Sequence, residues 1–390
     1  MEPIEFIHIF YYKTVWHTFF LLVTWITVLY YIGSNGQKLL YMRDSPSQVL
    51  AVFLSFLVIW YIGLRPISTE FADMWLYAYG FNAMEDTSYT TIQFGGEWLW
   101  NNIVKFCRNM GMNEYEYFLT IACGYVGFMF ASAWVLARRN LWMAVLFFFV
   151  AFSFFSYGTN GIRNGLGCSV ELLAIAFFAE KGYKRSIGLF MMFLALGIHR
   201  STILPSAAAI ATLYFIKDTK TALRFWLASI AISLIAGPLM EQLFSALGFD
   251  DRMSSYSQSQ YRDSDVFSHS GFRWDFLLYS SFPVAMIWYV TRHRKFADVG
   301  FTMMSNAYLL CNAFWIMVIR AAFSNRFAYL SWFLYPVIIF YPLLRMNLWE
   351  DQDRKTAIIL FLYSGFTFYM FFIHYFGTTG FKGFTTFDWF

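Results

Sequence analysis

The chain has 390 residues, of which 59% are hydrophobic and only 13% are charged. Because soluble domains carry about 25% charged residues, this composition excludes an ordinary soluble enzyme and indicates a membrane protein. Apolar runs long enough to cross a bilayer recur from one end of the chain to the other. The formal net charge is only +4, and we predict no nucleic-acid partner.

About twelve apolar runs predict about twelve transmembrane helices. The predicted spans are residues 15–33, 47–64, 116–137, 140–157, 164–180, 185–198, 201–216, 222–240, 272–291, 300–320, 326–344 and 356–375. The sequence therefore predicts an all-α, polytopic integral membrane protein that forms a single membrane-embedded domain over residues 1–390.

Every second connection between the predicted spans is basic. These six connections hold Lys38 and Arg43; Arg138 and Arg139; Lys181, Lys184 and Arg185; Lys217, Lys220 and Arg224; Arg292, Arg294 and Lys295; and Arg345, Arg354 and Lys355. The positive-inside rule assigns them to the cytoplasmic side, so we expect both termini on the outer side. Two longer segments, about residues 65–115 and 241–271, are then outer-face loops.

A polar stretch at residues 157–165, with the sequence YGTNGIRNG, interrupts two apolar runs. Polar groups without partners are costly near hydrocarbon, so this stretch is expected to line protein or water at the outer boundary. Its glycines fit two interpretations. They allow a ligand to approach the backbone closely, or Gly161 and Gly165 form a small-residue pair for helix packing.

Six arginines lie at or near the outer boundary, where the positive-inside rule does not explain them. They are Arg65, Arg163, Arg200, Arg273, Arg320 and Arg326. Guanidinium groups grip phosphate oxygens, so the set predicts a site for a diphosphate whose lipid tail stays in the bilayer. For any single arginine, snorkelling to lipid phosphates or pairing with a carboxylate is the alternative. Arg163 is the strongest candidate because Asn160 and Asn164 flank it.

Other titratable side chains complete the candidate site. His199 lies at a turn between two spans beside Arg200, where an imidazole can take a proton from an attacking hydroxyl or serve as a structural cap. Asp275 lies two residues from Arg273. Glu171 falls inside a predicted span, and we expect it to pair with an arginine on a neighbouring helix. The four cysteines lack metal-ligand spacing, and no metal or cofactor is predicted.

The order of these short motifs resembles that of a known family. The motifs are Gly63-Leu-Arg65-Pro with Asp73 and Tyr77 after it, then Asn160-Gly-Ile-Arg163-Asn164-Gly-Leu, then Ile198-His199-Arg-Ser201, then Gly271-Phe-Arg273-Trp-Asp275. Together they are similar to the EpsG-like family of Wzy-type polysaccharide polymerases over about residues 55–340. The chain departs from that pattern at Asn164, where Gln is more common, and at Arg200, where a smaller residue or lysine is expected.

The resemblance implies a metal-independent, inverting glycosyltransferase without a cofactor. It would join oligosaccharide repeat units on undecaprenyl diphosphate in the bacterial inner membrane, with its active site facing the periplasm or cell exterior. The implied catalytic residues are His199, Arg163, Arg273 and Asp73. The matching motifs supply the substrate-binding candidates Arg65, Tyr77, Asn160, Asn164, Arg200 and Asp275, and the boundary arginines add Arg320 and Arg326. The implied partners are the undecaprenyl-diphosphate-linked oligosaccharide and membrane lipids, with a chain-length regulator as a further candidate.

Two alternatives remain at this stage. A related lipid-linked glycan transferase, such as an O-antigen ligase or a glycosyltransferase that uses a polyprenyl phosphate sugar, would favour an acidic metal or base pair in the first outer loop. Asp73 alone is not such a pair. A transporter would have charged or broken helices near the midplane and a two-half repeat. Basic residues gathered at one face favour an enzyme instead.

Overall fold

The computed structural model describes residues 2–33, 45–84, 92–137, 140–246, 272–296, 298–320 and 325–379. Within these ranges the chain forms sixteen α-helices and no strand. They are α1 (Tyr12–Gly33), α2 (Ser45–Gly63), α3 (Met74–Asn82), α4 (Trp98–Asn109), α5 (Glu114–Ala137), α6 (Leu141–Phe149), α7 (Phe154–Thr159), α8 (Ile162–Phe178), α9 (Tyr183–Ile198), α10 (Ile203–Tyr214), α11 (Thr219–Ala246), α12 (Trp274–Trp288), α13 (Val299–Met317), α14 (Asn325–Trp332), α15 (Tyr335–Arg345) and α16 (Gln352–Thr379). Short 3₁₀ turns cover Ile9–Tyr11, Thr69–Phe71 and Arg200–Thr202, and a π-turn covers Tyr289–His293.

The all-α prediction is confirmed, and a helix lies in each predicted span. Two predicted spans are broken: 140–157 divides into α6 and α7, and 326–344 divides into α14 and α15. By length and composition, five described helical segments can cross a membrane: Ile9–Gly33, Glu114–Ala137, Thr219–Met240, Arg326–Arg345 (α14 followed by α15) and Gln352–Phe372. Ser47–Gly63 is a shorter apolar helix. The count of twelve spans and their orientation stay predictions.

The first long segment, predicted as an outer loop over residues 65–115, contains two helices, α3 and α4. In α4 the apolar side chains recur on one side of the helix and Trp100 is buried, whereas α3 is apolar on most sides and buries Phe81 while it exposes Tyr79. The second segment, 241–271, begins within α11, which continues to Ala246. Residues 247–271 lie outside the described residues.

The helices pack around a core of α13 and α15, whose side chains are almost all buried. Around this core α8 packs between α5 and α9, and α2 packs on α5. In addition, α10 and α11 pack on α13, and α1 packs on α16. Large apolar side chains such as Phe53, Phe56 and Ile235 are exposed on the outer helices. In a membrane protein such side chains face lipid rather than water.

The bundle has two distinct ends. Arg345 Nε donates a hydrogen bond to the Leu136 carbonyl at 3.0 Å, so α5 and α15 finish at the same end. Gly300, at the start of α13, faces both the end of α15 and Ala179, which follows α8. Arg163 therefore lies at the opposite end, since the sixteen residues back along α8 span about 24 Å.

Candidate active site

The polar stretch at 157–165 forms a sharp corner between α7 and α8. Gly165 makes the corner possible, because a Cβ there would lie only 2.7 Å from the Tyr157 carbonyl oxygen. Tyr157 and Thr159 are buried inside the corner, while the Arg163 side chain is 27% exposed. Gly165 therefore packs within this corner, against the Tyr157 backbone. The corner leaves Arg163 at the partly exposed start of α8.

Arg163 contacts Glu97, a residue that the sequence analysis did not select. Arg163 Nη1 lies 2.6 Å from Glu97 Oε2. His199 Nδ1 lies 2.7 Å from the other oxygen, Oε1, and the Arg200 backbone N–H donates to Oε1 at 3.2 Å. We call Glu97, Arg163, His199 and Arg200 the Glu97 group. The structure thus brings together three predicted site residues around one carboxylate.

The Glu97 contacts keep its carboxyl group ionised. Partial burial alone raises the pKa of Glu97, but the hydrogen bond with His199 and the charge of Arg163 outweigh it. The pKa of Glu97 consequently lies below its ordinary value. An ionised carboxylate can only accept hydrogen bonds, so His199 Nδ1 carries a proton and Nε2 is the nitrogen that can take one up. No hydrogen bond to Nε2 is found within the described ranges.

Close packing of α4 against α9 places Glu97 at this position. A Cβ at Gly197, near the end of α9, would lie 2.6 Å from Trp98 Nε1. The Trp98 and Phe193 rings pack with centroids 5.7 Å apart. Asn102 Nδ2 donates to the Trp98 carbonyl at 2.6 Å, which ties the start of α4 to its next turn. Glu97 immediately precedes Trp98 and therefore meets His199, which immediately follows α9.

A second group lies beside the same corner. Asn160 Oδ1 accepts a hydrogen bond from the Asp73 backbone N–H at 3.0 Å. The Asp73 carboxylate, 44% exposed, is 3.9 Å from Arg326 Nη2. We call Asp73, Asn160 and Arg326 the Asp73 group. Because Asn160 lies three residues before Arg163, the Asp73 group and the Glu97 group are held by the same corner of the chain.

Arg273 and Arg320 form a third group around the start of α12. Arg273 donates two hydrogen bonds to Asp275, at 2.9 Å and 2.6 Å, and its guanidinium carbon stacks 3.7 Å from the Phe276 ring centroid. The Arg320 guanidinium lies 5.8 Å from the Phe272 ring centroid. Arg273 thus pairs with a carboxylate, which was the alternative to phosphate binding. Arg320 keeps one buried donor, Nε, without a partner in the described part of the chain.

Three other predicted site residues make hydrogen bonds or ring contacts with other parts of the protein. Arg65 is 1% exposed and donates to the carbonyls of Ile62 and Thr159. Asn164 contacts the Tyr157 hydroxyl at 3.4 Å. Tyr77 packs edge-on against Trp100 with ring centroids 5.8 Å apart.

The expected arginine partner of Glu171 is not found. Glu171 is fully buried, and neither carboxyl oxygen has a hydrogen-bond partner among the described residues. Nor does any described arginine form an ion pair with it. Within the described ranges the expectation of an arginine on a neighbouring helix therefore fails, because α8 turns this side chain into the bundle interior, where no described arginine contacts it. Among the same described residues, no group of three or more His, Cys, Asp or Glu side chains could hold a metal ion.

Sequence reasoning missed Glu97 because it is one of several acidic residues in the first long segment. The same segment also holds Glu70, Asp73, Glu85, Asp86 and Glu114, and nothing in their spacing singles out Glu97. The available signal was the run Gly95-Gly96-Glu97-Trp98, which allows a tight approach just before a helix. That signal identifies a turn but not its partner.

The fold and this site define an all-α membrane protein that gathers arginines, a histidine and carboxylates at one end of its helix bundle. More particularly, the chain belongs to the EpsG family, whose model matches residues 48–386. EpsG is a Wzy-like family of polysaccharide polymerases, so the resemblance found in the sequence is confirmed. No curated protein and no solved structure matches the chain.

Proposed function

We propose that this protein joins oligosaccharide repeat units carried on undecaprenyl diphosphate into a surface polysaccharide at the outer face of the bacterial inner membrane. The observation that carries the proposal is the Glu97 carboxylate, which contacts His199 and Arg163 at once. A sugar transfer that expels a diphosphate needs a base for the attacking hydroxyl and a cation for the departing phosphate. Membership of the EpsG family supports polymer synthesis.

The proposed reaction is a single displacement. The hydroxyl oxygen of one lipid-linked unit attacks the anomeric carbon of the other, while the bond from that carbon to the diphosphate oxygen breaks. The electron pair leaves with undecaprenyl diphosphate, and His199 Nε2 takes the hydroxyl proton. Attack from the face opposite the leaving group inverts the anomeric carbon. In this scheme arginines, rather than a metal ion, stabilise the leaving diphosphate.

Each arginine group has a place in this scheme. Arg163 and Arg200 flank the base and stabilise the diphosphate that leaves. Both substrates are lipid-linked, so a second anion position is needed, and Arg273 and Arg320 supply it. Support comes from the buried Arg320 Nε, a donor without a partner in the described part of the chain.

Polar and aromatic groups between these positions would bind sugar. The half-exposed Asp73 carboxylate accepts hydrogen bonds from sugar hydroxyls, with Arg326 and Asn160 holding it in place. Tyr77, which packs against Trp100 and is partly exposed, would contribute part of its ring in the same region. Asp275 positions Arg273, and Asn164 positions the Tyr157 hydroxyl at the corner.

The proposed topology has twelve spans and both termini outside. It is supported by the ends of α5 and α15, which precede basic connections and meet at the end opposite Arg163. Lipid tails would then lie along the exposed apolar helices, with one diphosphate at the Glu97 group and the other at Arg273 and Arg320. A chain-length regulator remains a candidate partner.

Arg163→Ala and Arg273→Ala test the proposal in cells that depend on this protein for polymer. Each variant is expected to abolish long chains and leave single repeat units on the lipid acceptor, because diphosphate stabilisation is lost. Electrophoretic ladders of the surface glycan give the readout, with membrane abundance measured in parallel. The matched control is Arg294→Ala, an exposed arginine in a predicted cytoplasmic connection, which should keep normal ladders. Unchanged ladders from both site variants would exclude these arginines.

A further inference from the structure

Glu97 divides its two oxygens between two functional groups. Oε2 faces the Arg163 guanidinium, and Oε1 faces the His199 ring and the Arg200 amide. The pair is partly open to solvent, with side chains 27% exposed at Arg163 and 16% at Glu97. An incoming anion can therefore reach Arg163 without unfolding any part of the corner.

The charges at this position create a competition. A diphosphate carries more negative charge than a carboxylate and offers several oxygens to a planar guanidinium, so it is the stronger partner for Arg163. The same diphosphate is repelled by Glu97, which its contacts keep ionised. One guanidinium cannot fully neutralise both anions. Binding of a diphosphate must consequently weaken the contact between Arg163 and Glu97.

We propose that Glu97 is a positioning residue that competes with the lipid diphosphate for Arg163 and, once displaced by it, acts on His199 alone. This inference rests on the proposed function, because it assigns the diphosphate of the lipid-linked donor as the competing anion. Arg163 passes from the carboxylate to the phosphate oxygens when the donor binds. Glu97 then directs its full charge at the Nδ1–H of His199 and favours proton uptake at Nε2. Base activation is thereby coupled to an occupied donor site.

The coupling predicts that binding and turnover change in opposite directions in Glu97→Gln. Removing the competing charge should tighten binding of inorganic pyrophosphate roughly fivefold, the value of one exposed ion pair of about 1 kcal/mol. The same change should slow polymerisation at least tenfold, because His199 loses its anionic partner. Isothermal titration calorimetry of the detergent-purified full chain measures the first quantity. The maximal rate on a defined lipid-linked repeat unit measures the second.

Two further variants make the test specific. Glu97→Asp keeps the charge and should not bind pyrophosphate more tightly than the wild type. When Glu97→Gln is made in an Arg163→Ala background, the gain should be clearly smaller than in the wild-type background, because the contested guanidinium is absent and only the repulsion by Glu97 is removed. Thermal unfolding of each purified variant checks that the fold is retained.

The outcomes separate this inference from the proposed function. If wild-type protein polymerises but Glu97→Gln binds pyrophosphate equally or more weakly, Glu97 preorganises Arg163 instead of competing for it, and the inference fails alone. If wild-type protein makes no polymer from lipid-linked repeat units, the proposed function fails, whatever the affinity for pyrophosphate.

Discussion

At the scale of single residues, arginines that look alike in the sequence occupy different environments. Arg65 is almost completely buried, with its guanidinium between the Phe71 and Phe118 rings. Its donors satisfy the carbonyls of Ile62 and Thr159, so it joins the end of α2 to the end of α7. Arg163 instead keeps a partly exposed guanidinium. We therefore propose that Arg65 supports the scaffold of the site and that Arg163 binds the substrate.

Arg65→Ala should lower stability rather than act on chemistry. The change leaves two buried carbonyl groups without donors and a cavity between two rings, at a cost on the order of 3 kcal/mol. We expect a lower melting temperature of the detergent-purified protein and reduced membrane abundance, and polymer yield should fall in proportion to abundance. Arg163→Ala is the comparison, since it should lose polymer at normal abundance. A stable, abundant Arg65→Ala protein that makes no polymer would return Arg65 to the substrate site.

At the scale of helices, the site depends on two tight junctions. The corner between α7 and α8 sets the position of Arg163, and the junction between the end of α9 and the start of α4 brings Glu97 to His199. Glycine is required in both, because a Cβ at Gly165 would overlap the Tyr157 carbonyl and a Cβ at Gly197 would overlap the Trp98 ring. Small residues therefore fix geometry without touching substrate.

Gly165→Ala should disturb the corner and reduce activity. The added methyl must displace the Tyr157 backbone, so we expect the free energy of unfolding to fall by about 1–3 kcal/mol. Polymer chain length should fall clearly as well. Gly127→Ala in α5 is the matched control, since nothing lies within 4 Å of the Cβ that this change adds. Melting temperature and glycan ladders are compared for both. Equal behaviour of the two variants would show that the corner tolerates a side chain.

At the scale of the whole molecule, the two ends of the bundle differ in chemistry. One end carries the Glu97 group, the Asp73 group, and Arg273 with Arg320, and the other carries basic connections such as the one after Arg345. A glycan polymerase with lipid-linked substrates must present its site at one membrane surface, where the diphosphates lie. The proposed orientation puts the Glu97 group on the outer surface.

Single cysteines should report that orientation. Met110 and Tyr183 are 63% and 73% exposed and lie in connections predicted to face opposite sides. In a Cys123→Ser background, which removes the exposed native thiol, Met110→Cys should react with a membrane-impermeant maleimide on spheroplasts. Tyr183→Cys should react only after lysis. The reverse pattern would invert the topology and place the site in the cytoplasm.

Much of the fold followed from local patterns. Hydropathy runs of 17 or more residues predicted helices over 116–137 and 356–375, because a chain in lipid must satisfy its backbone internally. The break between α6 and α7 was not predicted, since residues 150–153 are three apolar residues and one serine, and one serine is too weak a hydropathy signal to mark a break. The expectation of an arginine partner for Glu171 failed for a related reason. Helical spacing gives the distance between two residues along one helix, but it does not say which other helix a side chain faces.

The sequence alone determined that this is an all-helical membrane protein, which family its motifs resemble, and that Arg163 and His199 are polar groups needing an explanation. Only the tertiary structure decided that they share a carboxylate. Glu97 and His199 are separated by 102 residues, and they meet because Trp98 packs over Gly197. Hydropathy and charge act locally along the chain, whereas a contact at such separation depends on how helices pack. The same packing placed Arg65 inside the protein and left Arg163 at its surface.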